Sequence, residues 1–204
     1  MEEKNIDIRR IAIQVIVALF AIVIIANYNN LVLARNRVLT QRGQVEEAYQ
    51  RRIDLIPDLV KSVKDYTKHE EAIIENIIEA RTLLQDAIDS GDMEAMDENS
   101  TILAISIDQA LTLIENSNDT KAADLYVQLN DEIAGSVNRI SQARYKYNEI
   151  VEEYNNKIMT FPGVFYAKLF GFKPFNYLKM TSKSSGVKFE WVKMVSEENK
   201  NEKS

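Results

Sequence analysis

The sequence predicts an all-α protein: a single N-terminal transmembrane helix followed by an up-and-down four-helix bundle. Three observations carry this. Only three prolines and six glycines occur in 204 residues, too little turn punctuation for a sandwich or an α/β fold. One charge-free run, apolar but for a single glutamine, lies near the N-terminus. The remainder shows long stretches of 3/4 apolar spacing joined by short polar turns, which amphipathic helices bury most simply against one another.

The elements follow in order. Residues 1–10 form a charged flank, and 11–30 the span. "IAIQVIVALFAIVIIA", Ile11 to Ala26, is apolar except for Gln14. Sixteen residues rise about 24 Å as a helix, against a hydrocarbon core of ~30 Å. "NYNNLVLA" extends it, with Tyr28 at headgroup level. A cleaved signal peptide would want a small-residue cleavage site and a break; neither follows. A core helix would alternate faces, and this one is apolar all round. Lys4, Arg9 and Arg10 precede the span and Arg35, Arg37 and Arg42 follow it. The positive-inside rule therefore gives no bias, though Arg9 and Arg10 lie closer and slightly favour a cytoplasmic N-terminus.

Beyond the span, residues 31–179 are read as the bundle. The first helix runs from Leu31 to Arg52, with an apolar face of Leu31, Val32, Ala34, Val38, Leu39, Val45, Ala48 and Tyr49. "RRIDLIPDLV" then places Pro57 inside a helical pattern. A proline breaks a helix interior but loses nothing in a first turn, whose N–H groups lack intrahelical partners anyway. Asp54 is the expected N-cap of the next helix, and Arg51 and Arg52 suit the negative end of the one before. The stretch reads as a helix end, a tight corner and a helix start, with a simple kink as the alternative.

The second helix is expected from Leu55 to Ile88, burying Leu59, Val63, Tyr66, Ile73, Ile77, Ala80, Leu84 and Ile88. "DSGD" stops it, with Gly91 suited to a left-handed C-terminal turn. The third spans Met93 to Glu115 (Met96, Ile102 or Leu103, Ile105, Ala110, Leu111, Ile114). "NSNDT" is turn chemistry. The fourth runs from Lys121 to Thr160, with Leu125, Leu129, Ile133, Val137, Ile140, Tyr147, Val151, Tyr154 and Ile158 inward. "FPGVFYAKLFGFKPF" follows as a short return segment packed on the bundle. Residues 180–204 read as a disordered tail.

Several segments resemble the LemA family of bacterial membrane-anchored proteins: "YNNLVLARNRV", "RRIDLIPDLVKSVKDYTKHE", "ARTLL", "NRISQARYKYNEIVEEYNNKIMTFP" and "AKLFGF". Their joint order is specific. The chain departs from the family in lacking a tryptophan before the arginine pair and a tyrosine-proline before helix four, and residues 89–123 match poorly. The resemblance implies a four-helix bundle behind one membrane span, no established chemistry, and association with membrane organisation, stress response or neighbouring membrane proteases.

The candidate chemistry is thin. The net charge of −6 shows no nucleic-acid footprint, and the lack of cysteine excludes disulfides and thiolate sites. His69 is the only histidine. "HEEAI" begins like a zinc-protease box, but Ile73 stands where the second histidine is needed. A di-iron site would need Glu-x-x-His twice. No cofactor is expected. His69 and Glu70, with Lys68, read as polar surface or a recognition patch. Tyr147-Asn148 and Tyr154-Asn155 repeat after seven residues and share a face: core tyrosines with satisfied hydroxyls, or a stripe for a partner helix. Arg51, Arg52, Asp54, Arg139 and Arg144 form a possible corner cluster, where Asp54 could pair with Arg139 or Arg144. An acidic-lipid or phosphate site there is the sharper reading. The expected role is a membrane-tethered, non-catalytic scaffold or interaction module at the bacterial cell membrane. Its expected partners are the bilayer, and another membrane protein (a protease among the candidates) or a second copy. The alternative is an enzyme or small-ligand binder with a polar site inside the bundle.

Overall fold

The computed structural model describes residues 2–66, 71–116 and 120–178. Among these residues the protein is helical, with no strand: α1 (Glu2–Asp54), α2 (Ile56–Tyr66), α3 (Glu71–Ser90), α4 (Met93–Glu115), α5 (Thr120–Met159) and α6 (Gly163–Phe170). The tail expected to be disordered lies outside the described residues.

One unbroken helix, α1, contains both the apolar run and the first wall of the domain. From Ile11 to Ile25 its large apolar side chains are exposed, except the half-buried Ile24, and the segment is long and apolar enough to cross a membrane. The change comes at Leu31. From there Leu31, Ala34, Val38, Val45, Ala48, Tyr49 and Ile53 are buried, the alternating three- and four-residue steps of a core-facing stripe. Leu39, expected inside, is exposed.

At the proline, α1 ends with Asp54 and α2 begins with Ile56, so the junction occupies one residue. Leu55 N donates to Arg52 O at 3.3 Å, and Leu59 N to Leu55 O at 3.2 Å. Pro57 is exposed in the first turn of α2, where its missing N–H costs no bond. Asp54 does not cap this helix as expected. It remains the last helical residue of α1, and its Oδ1 accepts from Gln50 Nε2 at 3.1 Å, one turn back. A one-residue corner leaves it no non-helical position from which to reach Ile56 N.

The single helix expected from Leu55 to Ile88 is described as two, α2 and α3. Residues 67–70, between the two, lie outside the described residues. The α3–α4 corner follows expectation. Gly91 takes φ +68°, and Asp92 N donates to Ala87 O at 3.1 Å, closing the helix as a left-handed glycine permits. Asp92 Oδ1 then caps α4 by accepting from Glu94 N (3.0 Å) and Ala95 N (3.1 Å).

In packing, α1 lies along α5, α3 along α4, and the pairs meet through α4–α5 and α1–α3. α5 runs antiparallel to α1: Arg42 lies near enough to Tyr147, and Arg35 to Tyr154, to act electrostatically on that tyrosine. Seven residues up one helix match seven down the other. Leu129, Ile140, Tyr147, Val151, Tyr154 and Ile158 line the inner face of α5. Val137, expected inside, is 43% exposed; Ser136 takes the buried position, its Oγ donating to Ile133 O at 2.7 Å.

Candidate functional site

The two Tyr-Asn pairs of α5 hold an extended segment that returns after α6. Asn155 Nδ2 donates to Phe175 O at 2.9 Å, and its Oδ1 accepts from Phe175 N at 3.0 Å. One turn pair earlier, Asn148 Nδ2 donates to Leu178 O at 2.9 Å and Oδ1 accepts from Leu178 N at 2.8 Å. Each carboxamide thus offers one donor and one acceptor to both polar groups of a single residue, as a neighbouring strand would. Tyr154 OH donates to Lys173 O (3.0 Å) and Tyr147 OH to Asn176 O (3.3 Å). Burial raises the pKa of both tyrosines, with Arg35 and Arg42 opposing weakly. The repeat therefore serves core packing with satisfied hydroxyls, and the polar partner is the chain's own return segment.

A second polar group sits inside, where α1, α4 and α5 meet. Arg144 of α5 pairs with Asp97 of α4, with Nη2 donating to Oδ2 at 3.2 Å. Tyr49 OH, from α1, donates to Asp97 Oδ1 at 3.3 Å. Desolvation and the Asp97 carboxylate push the Tyr49 pKa strongly upward, so the hydroxyl stays protonated. Asp97 is the partner that Arg144 takes in place of Asp54. It was missed because helix three carries several acids of equal sequence weight, and only the fold turns this one inward.

One turn along α1, Arg52 is buried at 5% exposure. Its Nη1 donates to Ser100 Oγ at 2.9 Å and Ser100 O at 3.3 Å. Its Nε has no partner, and no carboxylate lies within ion-pair reach of it among the described residues. Burial lowers its pKa, and the neighbouring Tyr49 works against that shift. The cation expected to suit the negative end of the first helix is a buried strut between α1 and α4.

The other candidates stand apart. Arg51 is exposed and pairs with Glu47 at 2.6 Å. Arg139 is exposed on α5, and with Arg51 and Lys146 it lines a shallow hollow over the α1–α5 seam. His69 and Glu70 lie outside the described residues. No group of three or more metal-ligating side chains occurs among the described residues. An open cavity of about 680 Å³ lies between the α3–α4 corner and the return segment, lined by Asp92, Glu94, Asp97, Tyr147 and Asn176 among others. Arg42 closes the corner beside it, bonding Glu46 at 2.9 Å and the Gly91 carbonyl.

A family model described as the LemA family matches residues 41–190, a stretch that contains the proline corner, the polar interior and the clamped return segment. The chain is also similar to Protein LemA of Metamycoplasma hominis, at 27% identity over 146 residues. That alignment covers 71% of this chain and 65% of the relative, so the chain spans less than two thirds of the relative's length.

Proposed function

The chain belongs to the LemA family, and from that premise we propose that it is a membrane-tethered, non-catalytic helical domain, a scaffold or interaction module at the bacterial cell membrane. The observation that carries this is the continuity of α1. The apolar, exposed stretch and the core-facing stripe belong to one helix, with no Gly, Ser or Pro between Ala26 and Leu31. A helix that continues out of the bilayer holds its domain at fixed height and angle, where a flexible linker would let it roam. That arrangement suits meeting a neighbouring membrane protein better than capturing a diffusing substrate.

In this reading the long helices form an up-and-down four-helix bundle. The ring of neighbours α1–α5–α4–α3 supports it, as does the antiparallel register of α1 and α5. The polar interior is structural: Asp97, Arg144 and Tyr49 satisfy one another, and both Tyr-Asn pairs are spent on the return segment. The partner is another membrane protein, a membrane protease among the candidates, or a second copy.

A ten-residue Gly/Ser insertion after Ala26 tests the proposal, because it keeps the span and every described contact of the domain. The set of crosslinked membrane partners should shrink or change. An unchanged set, with an unchanged phenotype, would mean that fixed presentation is not how the protein works.

A further inference from the structure

The helix α6 has two faces of opposite kind. Ala167 is buried against the domain, whereas Phe161, Phe165 and Leu169 are 80%, 69% and 68% exposed. A step of four places Phe165 and Leu169 on one face of α6, and the ring of Phe161, in the turn before the helix, lies 6.1 Å from that of Phe165 and extends the stripe. Nothing among the described residues covers it.

The fold sets the height of this stripe. In the α1–α5 register, in which Tyr154 matches Arg35 and Tyr147 matches Arg42, the last residue of α5, Met159, falls level with Asn30, half a turn from Tyr28. At the other end of α6, the Phe170 ring lies 4.8 Å from the Tyr28 ring, and Phe172 6.0 Å. The chain thus enters α6 and leaves it within about a turn of Tyr28 along α1, so α6 crosses the α1 axis instead of following it. Gly163 permits the sharp turn: a Cβ there would lie 1.8 Å from the Lys157 carbonyl oxygen. Tyr28 is also where the apolar stretch of α1 gives way to the domain.

Charge adds an independent reason. Between Glu153 and Glu190 the chain has no Asp or Glu, only Lys157, Lys168, Lys173, Lys179, Lys183 and Lys188. This occurs in a chain whose net charge is −6. A short helix with a large apolar face, cationic flanks and no acids suits the boundary between acyl chains and anionic headgroups.

We propose that α6 is an interfacial helix. It lies flat on the leaflet from which α1 emerges, with Phe161, Phe165 and Leu169 in the acyl boundary and the neighbouring lysines toward lipid phosphates. The proposal rests on the reading that α1 crosses the membrane. With α1 it gives the domain a second point of attachment, which fixes rotation about the α1 axis as well as height.

Depth-dependent quenching tests it on the full chain in nanodiscs containing anionic and chain-brominated lipids. Single-tryptophan variants are made in a Trp191→Phe background: Phe165→Trp, Leu169→Trp, Phe20→Trp for the span, and Tyr145→Trp as a solvent reference. Tyr145 is exposed on α5, sixteen residues before Phe161 and so about 24 Å farther from the bilayer. The expected result is a blue shift and loss of emission at Phe165→Trp, Leu169→Trp and Phe20→Trp, with Tyr145→Trp unaffected. Quenching at Phe20→Trp with solvent-like, unquenched emission on α6 overturns the interfacial helix and leaves the span standing. Blue-shifted but unquenched emission on α6 means that protein covers the stripe, and also overturns it. An unquenched Phe20→Trp removes the span and the interfacial helix together.

Discussion

Replacing Asn155 by leucine, which is close in size, removes both hydrogen bonds to Phe175 without opening a cavity. Each bond contributes about 1 kcal/mol net, and a buried backbone group left unpaired costs roughly 1–3 kcal/mol. If the return segment stayed docked, the loss would approach ~4 kcal/mol. The segment can instead lift off and hydrate its backbone, so the cost stops at its own docking free energy. A loss of about 2 kcal/mol is the working value, equal to roughly a 30-fold change in an opening equilibrium. Hydrogen exchange reads this directly. In the wild type, the amides of Phe175 and Leu178 donate to Asn155 and Asn148 and should be protected. Asn155→Leu should accelerate both, by roughly 30-fold, because one segment carries both contacts and opens as a unit. Asn148→Leu should do the same, and the double variant should add little. Two amides that respond independently, or that lack protection in the wild type, would refute the clamp.

Asp97→Ala should cost about 2–4 kcal/mol in urea titration, since it removes the half-buried carboxylate shared by the Arg144 guanidinium and the Tyr49 hydroxyl; adding Arg144→Leu should recover part of the loss. Tyr49, Tyr147 and Tyr154 have folded pKa values raised by burial. Their contribution is therefore complete below the unfolded value of about 10 and is lost as pH rises through the folded values. The urea midpoint should fall above about pH 10, and less steeply in Tyr49→Phe. Asp54→Ala should cost no more than about 0.5 kcal/mol, the worth of an exposed contact to Gln50 one turn away. A loss of about 1 kcal/mol or more would restore it as a helix cap.

What the sequence disclosed depended on range. Stripes at 3/4 spacing placed the end of α1 and both ends of α4 and α5 within two residues, because the pattern and the burial it produces lie within one helix. Pro57 placed the α1–α2 corner for the same reason: a missing N–H is a local fact. The Asp54 cap was lost to detail below that resolution, a corner one residue long. Val137 and Ser136 exchanged places because one residue of helical rotation decides which faces inward. The partners of Arg144, Arg52, Asn148 and Asn155 were beyond local reading. Arg144 meets Asp97 47 positions away, and Arg52 meets Ser100 48 away. The use of both Tyr-Asn pairs became visible only once "GFKPFNYL" was seen to run back along α5 in an extended form.

Fixed presentation requires that α1 pass from the apolar stretch into the domain without a hinge. The chain has no cysteine, so spin labels at Phe20→Cys and Leu39→Cys, both exposed positions, report on it cleanly in nanodiscs. Nineteen residues of helix span about 28 Å. A pulsed dipolar measurement should give one narrow distance distribution near that separation. A broad distribution, or one centred well below it, would place a hinge between span and domain and contradict rigid presentation.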